Sequence, residues 1–165
     1  MSELYKQLAE DGNKCGDTKY CTVIATAVVF DKSYEDANDY LKLHAKRPFR
    51  SGPSWENFEK AIRKLAIAKG YNYKSYTRNE IRTMAIGKTM TVGNCLRYLN
   101  PKKRYVIGVR GHALSYKNGK IQDWTSGRRH RINKIFEVEV PEDDRGVEVE
   151  IPHTGKSFFD TLKAL

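Results

Sequence analysis

Residues 111–124 read GHALSYKNGKIQDW, and the Asn118-Gly119 pair in their middle sets the local fold. A two-residue type I′ turn needs positive φ at both central positions, and Asn-Gly adopts that conformation at low cost. The stretch is therefore predicted to be a β-hairpin. With Asn118 and Gly119 at the turn, Lys117 faces Lys120, Tyr116 faces Ile121, Ser115 faces Gln122 and Leu114 faces Asp123. His112 then lies on the same face as Asp123 and diagonal to it, roughly 7 Å away along the backbone and within side-chain reach. An imidazole held by a carboxylate is oriented, fixed in one tautomer and made a better base, as in a nucleophile–base–acid triad.

A candidate nucleophile stands upstream. Cys21 begins CTVIATAVVF (residues 21–30), which is almost wholly apolar and rich in β-branched residues. Periodicity alone fits either a buried strand or a buried helix. If the stretch is a helix, Cys21 is at its N-terminus, where orphan N–H groups and the helix dipole favour thiolate over thiol. An imidazolium at His112 favours it further. Cys21, His112 and Asp123 are thus the candidate nucleophile, general base and orienting acid.

Caps and periodicity place the other elements. Residues 2–12 are expected to form one short helix closed near Gly12, followed by a loop over 13–20. Ser33 opens a helix with Asp36 in a capping-box arrangement and with Tyr34, Ala37, Tyr40, Leu41 and His44 on one face. Ser54 caps another, in which Trp55, Phe58, Ile62, Leu65 and Ala66 repeat at helical spacing until Gly70. YNYKSY (71–76) is a tyrosine-rich strand, and TRNE (77–80) is a capping box for a short helix through Ala85. Thr91 caps a further helix with Val92, Cys95, Leu96 and Leu99 inward, ending at Asn100-Pro101. Two strands follow, RYVIGVRGHALSYK (104–117) and KIQDW (120–124), with RINKIFEVEVP (131–141) a third partner and GVEVEIP (146–152) a fourth. Helices first and antiparallel strands second predict an α+β fold, with the helices packed on one face of the sheet.

The 165 residues suit one domain over 1–165, and neither an 18-residue apolar run nor a signal-peptide pattern is present. A cytoplasmic protein with no membrane partner is expected. The formal charge is +10, although residues 137–150 hold seven acids against one arginine. The rest of the chain is therefore strongly basic, with clusters at 42–50, 100–105 and 127–134, which favours nucleic acid or an acidic protein as partner. Glu and Val alternate in the acidic segment, as in an edge hairpin whose charges blunt the edge or pair with the basic body. The three cysteines, Cys15, Cys21 and Cys95, include no Cys-x-x-Cys element, so neither a zinc site nor a disulfide framework is expected. No metal or organic cofactor is implied. Cys95 is assigned to packing and Cys15 to an exposed loop.

Cys21 opening CTVIATA, the stretch RYVIGVRGHALSYKNGKIQDW and the helical segments between them resemble the papain-like cysteine peptidase fold. The nearest likeness is to small C39-like domains of bacteria and phages, over roughly residues 10–130. The resemblance implies a Cys–His–Asp/Asn triad between a helix and a sheet, with Cys21 as nucleophile, His112 as base and Asp123 as orienter. It implies a peptidase or isopeptidase that acts on a protein or peptide through an acyl-enzyme. Trp124 is similar to the tryptophan that shields the triad hydrogen bond in papain. The family usually supplies an oxyanion donor from a glutamine about six residues before the cysteine, and that position here is Cys15. In its place the candidates are the backbone N–H of Cys21, the carboxamide of Asn13, and Asp17 if protonated. The alternative is a non-catalytic module on the same fold whose basic surface holds nucleic acid or an acidic host protein.

Overall fold

CTVIATAVV is helical throughout: α2 spans Cys21–Val29, and every residue from Thr22 to Val29 is buried. A helix with no polar face must be enclosed by other elements, and for the same reason it shows no helical period in its sequence. In the computed structural model, which describes residues 2–144, α2 packs against α1 (Glu3–Lys14), α3 (Tyr34–His44) and the strand β3 (His112–Lys117). The small residue Ala113 of β3 shares the apolar cluster of α2, and the next residue on that face, Ser115, is also fully buried. Small side chains there let the helix lie close to the strand. Each buried Val or Ile of α2 contributes about 1.5–3 kcal/mol through removal from water.

The caps account for the other helices. Ser33, Ser54 and Thr77 accept hydrogen bonds from the backbone N–H three residues on, at the starts of α3, α4 (Trp55–Ala68) and α5 (Arg78–Met84). Thr77 and Glu80 form a complete capping box, whereas at α3 only the serine half is made, since Asp36 is shorter than the Glu such a box requires. Gly12 does not close α1, which runs on to Lys14. Its role is close approach: a Cβ there would lie 2.6 Å from the Tyr20 ring and 2.9 Å from that of Tyr34. Residues 91–99 do not form the expected α-helix. Thr91 does accept from Asn94 N–H, but only a single 3-10 turn, Cys95–Arg97, follows. The chain is drawn instead onto residues 128–131, by bonds from Val92 N to His130 O and from Gly93 N to Arg128 O. Val92, Cys95 and Leu99 are buried as expected, and Leu96 is exposed.

Among the described residues the fold is α+β, with five α-helices and one antiparallel sheet of order β1-β5-β2-β3-β4. These strands are β1 (Asn72–Tyr76), β2 (Arg104–Val109), β3, β4 (Lys120–Ile121) and β5 (Lys134–Glu139). RYVIGVRGHALSYK is two strands rather than one, reversed at Arg110-Gly111, where Gly111 has φ +70°. The helices do not all cover one face. Val106, Ala113, Phe136 and Val138 join residues of α1 to α4, while Tyr105, Ile107, Leu114 and Ile135 join Ile81 of α5 and the Met90–Leu99 segment. Nor is the described start of the acidic segment an edge: Glu137 and Glu139 belong to β5, which lies between β1 and β2. Glu137 is bonded there by Tyr76 Oη at 2.8 Å and by Lys103 Nζ at 3.3 Å. The predicted strand 146–152 lies outside the described residues. No helix among the described residues is long and apolar enough to cross a membrane.

The loop that leads into α2 is clamped by residues 47–50. Arg47 Nη2 donates to Asp17 Oδ1 at 3.0 Å and to Thr18 O at 3.2 Å, Arg50 Nε donates to Gly16 O at 2.9 Å, and Tyr34 Oη donates to Asp17 Oδ2. Burial pushes the Asp17 carboxyl up, but hydrogen bonds from Arg47, Tyr34 and Thr18 N–H, with the Arg47 charge, hold it below the usual carboxylate range. Removing one partner of a buried pair leaves the other uncompensated, so Arg47→Met is expected to cost about 3–5 kcal/mol in urea unfolding at pH 7. Because the folded carboxyl is depressed, this contribution is present above the ordinary aspartate value near 3.9 and is lost as pH falls through the lower folded value. The gap between wild type and variant should therefore close in acid. A gap that stays constant with pH would make the loss one of packing alone.

Candidate active site

The hairpin has the register that its turn dictates. Asn118 and Gly119 take φ of +55° and +73°, Tyr116 pairs with Ile121, Lys117 pairs with Lys120, and Gln122 N bonds Ser115 O at 2.8 Å. The ladder stops there, so Asp123 leaves the strand instead of pairing with Leu114. His112 Nε2 and Asp123 Oδ2 nevertheless meet at 2.9 Å. The same oxygen accepts from Thr125 N at 3.1 Å and from Thr125 Oγ1 at 2.7 Å. Asp123 is 2 % exposed and Thr125 is fully buried. Sequence reasoning missed Thr125, although Asp-x-Thr is the spacing at which a carboxylate takes the backbone N–H two residues on.

Cys21 is the first residue of α2. Ser2, Ser33, Ser54 and Thr77 cap the other four α-helices among the described residues, but α2 has no side-chain cap and no acid in its first turn. Its first intrahelical bond runs from Ile24 N to Tyr20 O, so the helix does not use the N–H of Cys21. Donor capacity and the positive end of the dipole are both free to act on the half-buried sulfur. Burial pushes the Cys21 thiol up, and the Asp123 charge adds to this. Hydrogen bonds from His112 and from Ala113 N–H, with the His112 charge, outweigh both and leave the thiol below its ordinary range. Burial likewise pulls His112 down, but its hydrogen bonds to Asp123 and Cys21, with their charges, push it up to about 9. Nε2 is engaged by Asp123, which leaves Nδ1 to the sulfur. At neutral pH these opposite displacements favour a thiolate–imidazolium pair.

Trp124 stands beside this pair. Its ring centroid is 5.2 Å from that of His112, and the His130 ring meets it edge-on at 5.7 Å. Of the oxyanion candidates, Asp17 is ruled out, because its ionised carboxylate accepts from Arg47, Tyr34 and Thr18 and has no proton to donate. The loop folds toward Arg47, thirty residues away in sequence, which no local signal showed. Asn13 sits in the last turn of α1, and its Oδ1 accepts from Tyr20 Oη at 3.1 Å, in the residue before Cys21. Tyr5 of α1 was also missed. Its hydroxyl is pushed up to about 12, first by burial and then by the charges of Asp123, Tyr20 and Cys21, so it stays protonated beside them. Cys15 is exposed, while Cys95 is fully buried and its thiol is pushed up to about 12 by that burial. Among the described residues no group of three or more His, Cys, Asp or Glu is placed to hold a metal ion.

No protein-family profile matches this chain, and neither a curated protein nor a solved structure does.

Iodoacetamide alkylation followed by mass spectrometry reads the thiolate directly. Cys21 should react at a lower pH than an ordinary thiol, and Cys95 should stay unlabelled. In His112→Ala the Cys21 profile should move up toward the ordinary thiol range near 8.5, because the hydrogen bond and charge of His112 no longer offset burial. An unchanged profile in the variant would show that His112 does not set the state of the sulfur.

Proposed function

We propose that this chain is a papain-like cysteine hydrolase that cleaves peptide or isopeptide bonds through an acyl-enzyme. The observation that carries this reading is the 2.9 Å bond between His112 and Asp123, with Cys21 on an uncapped helix end near enough to His112 for the imidazole to hold its thiol below the ordinary range. The Cys21 thiolate attacks the substrate carbonyl carbon, and the C–N bond breaks as the His112 imidazolium gives its proton to the leaving amine. His112, now neutral, takes a proton from water, whose oxygen attacks the thioester and releases the carboxylic acid and the thiolate. Asp123 holds the ring in the tautomer that this exchange needs.

The developing oxyanion needs donors, and the N–H of Cys21 supplies one. The carboxamide of Asn13 supplies the second in this reading, as its Tyr20 contact ties it to the residue before the nucleophile. Removing one such donor lowers kcat by about 10²–10³-fold. With a fluorogenic peptide substrate, Asn13→Ala should show that loss while its alkylation profile stays that of the wild type. Cys21→Ser should abolish turnover. Loss of both turnover and thiol reactivity in Asn13→Ala would assign Asn13 to packing instead.

The second reading, a non-catalytic binding module, is favoured by the ionised state of Asp17, which removes one donor candidate. A reactive Cys21 with no turnover on any peptide or isopeptide tested would support it over the first.

A further inference from the structure

A cavity of about 350 Å³ opens between α5 and the segments 88–90 and 131–133, lined by Arg78, Arg82, Lys88 and Arg131 among others. No carboxylate lines it. The four cations come from three separate stretches of chain, and all are exposed. Among the described residues none of them is ion-paired, whereas Lys6, Arg47, Lys60, Lys74, Lys103, Arg104 and Lys117 each have a carboxylate partner. Glu80, the acid nearest to the cavity in sequence, is turned away: its Oε1 accepts from Thr77 N and its Oε2 pairs with Lys74.

We propose that this cavity binds the phosphate groups of a nucleotide, free or within a strand. Four like charges gathered with no acid to offset them repel one another, and a multiply charged anion relieves that repulsion. Three of the four are guanidinium groups, whose planar forks match phosphate oxygens two at a time. Asn79, Thr89 and Asn133 add neutral polar groups to the lining. Behind them Ile81, Met90 and Ile132, each at most 4 % exposed, give the cavity an apolar floor for the uncharged part of the ligand. A volume of this size lies at the lower end of the range of small-ligand sites. The site does not involve Cys21 and stands whether or not the chain is a hydrolase.

The test is fluorescence anisotropy at low salt with two probes, a labelled ATP analogue and a labelled single-stranded RNA ten-mer. Arg82→Gln/Arg131→Gln should lose about tenfold or more in affinity for whichever probe binds, with a shallower salt dependence by about one unit of slope per lost contact. Lys6→Gln/Lys60→Gln removes the same charge from the paired surface of α1 and α4 and should lose less than about twofold. Binding of ATP assigns a free nucleotide, and binding of RNA alone assigns a strand; either supports the site if the cavity variant is the one that weakens. Equal losses in the two double variants would reduce the effect to net charge and overturn the proposal. So would the absence of binding by either probe. Single variants at Arg78 and Lys88, with unchanged circular dichroism, repeat the measurement if the first pair does not fold.

Discussion

Burial of α2 is the constraint on which the site depends. The helix has no polar face, so it is held between α1, α3 and β3, and both of its ends fall at β3. At the far end Arg104 Nη1 donates to Val29 O and to Asp31 Oδ2, both at 2.8 Å, and Lys117 Nζ pairs with Asp31 Oδ1. At the near end Cys21 meets His112. From Cys21 to Val29 the helix is about 12 Å long at helical rise, and the Asp31 anchor holds its C-terminal end at Lys117, the end of β3 opposite His112. A core helix anchored at its C-terminus brings its N-terminus to the strand that carries His112.

Local chemistry was legible in the sequence and long-range pairing was not. The Asn118-Gly119 turn carries its own register, so the approach of His112 to Asp123 followed from a dozen residues. CTVIATAVVF stayed ambiguous because a segment buried on all sides has no period to read. The break at Gly111 was signalled by a glycine within an apolar run, yet a glycine in a strand fits a bulge equally well. Nothing local says that β5 inserts between β1 and β2, so Glu137 and Glu139 read as an edge; the partners of Glu137, Tyr76 and Lys103, are remote in the chain. The same holds for Asp17, whose charge state is decided by Arg47. Thr91 illustrates the converse, a correct cap at a place where tertiary bonds prevent the helix that it would start.

Charge is used in two ways. Inside, Arg47, Arg104 and Lys117 are each tied to a carboxylate, because a lone charge away from water is costly. They fix the loop before Cys21 and the end of the helix behind it. Outside, the excess of lysine and arginine is left largely to solvent, where isolated pairs would add little. The overall basicity that dominates the composition is thus separate from the few buried ion pairs that position the site.

Within the site, the donors on Asp123 decide which ring nitrogen of His112 keeps its proton. Oδ2 receives His112 Nε2 and both groups of Thr125, so two of its three donors come from Thr125. The carboxylate therefore keeps its orientation whether His112 is charged or neutral. When the imidazolium loses a proton, the one on Nε2 is held by a fixed anion, and the one on Nδ1 is the one that leaves. The neutral ring is left as the Nε2–H tautomer, with its lone pair on Nδ1. Thr125 thereby makes the tautomer of His112 independent of the charge on the ring, by holding Asp123 in one orientation.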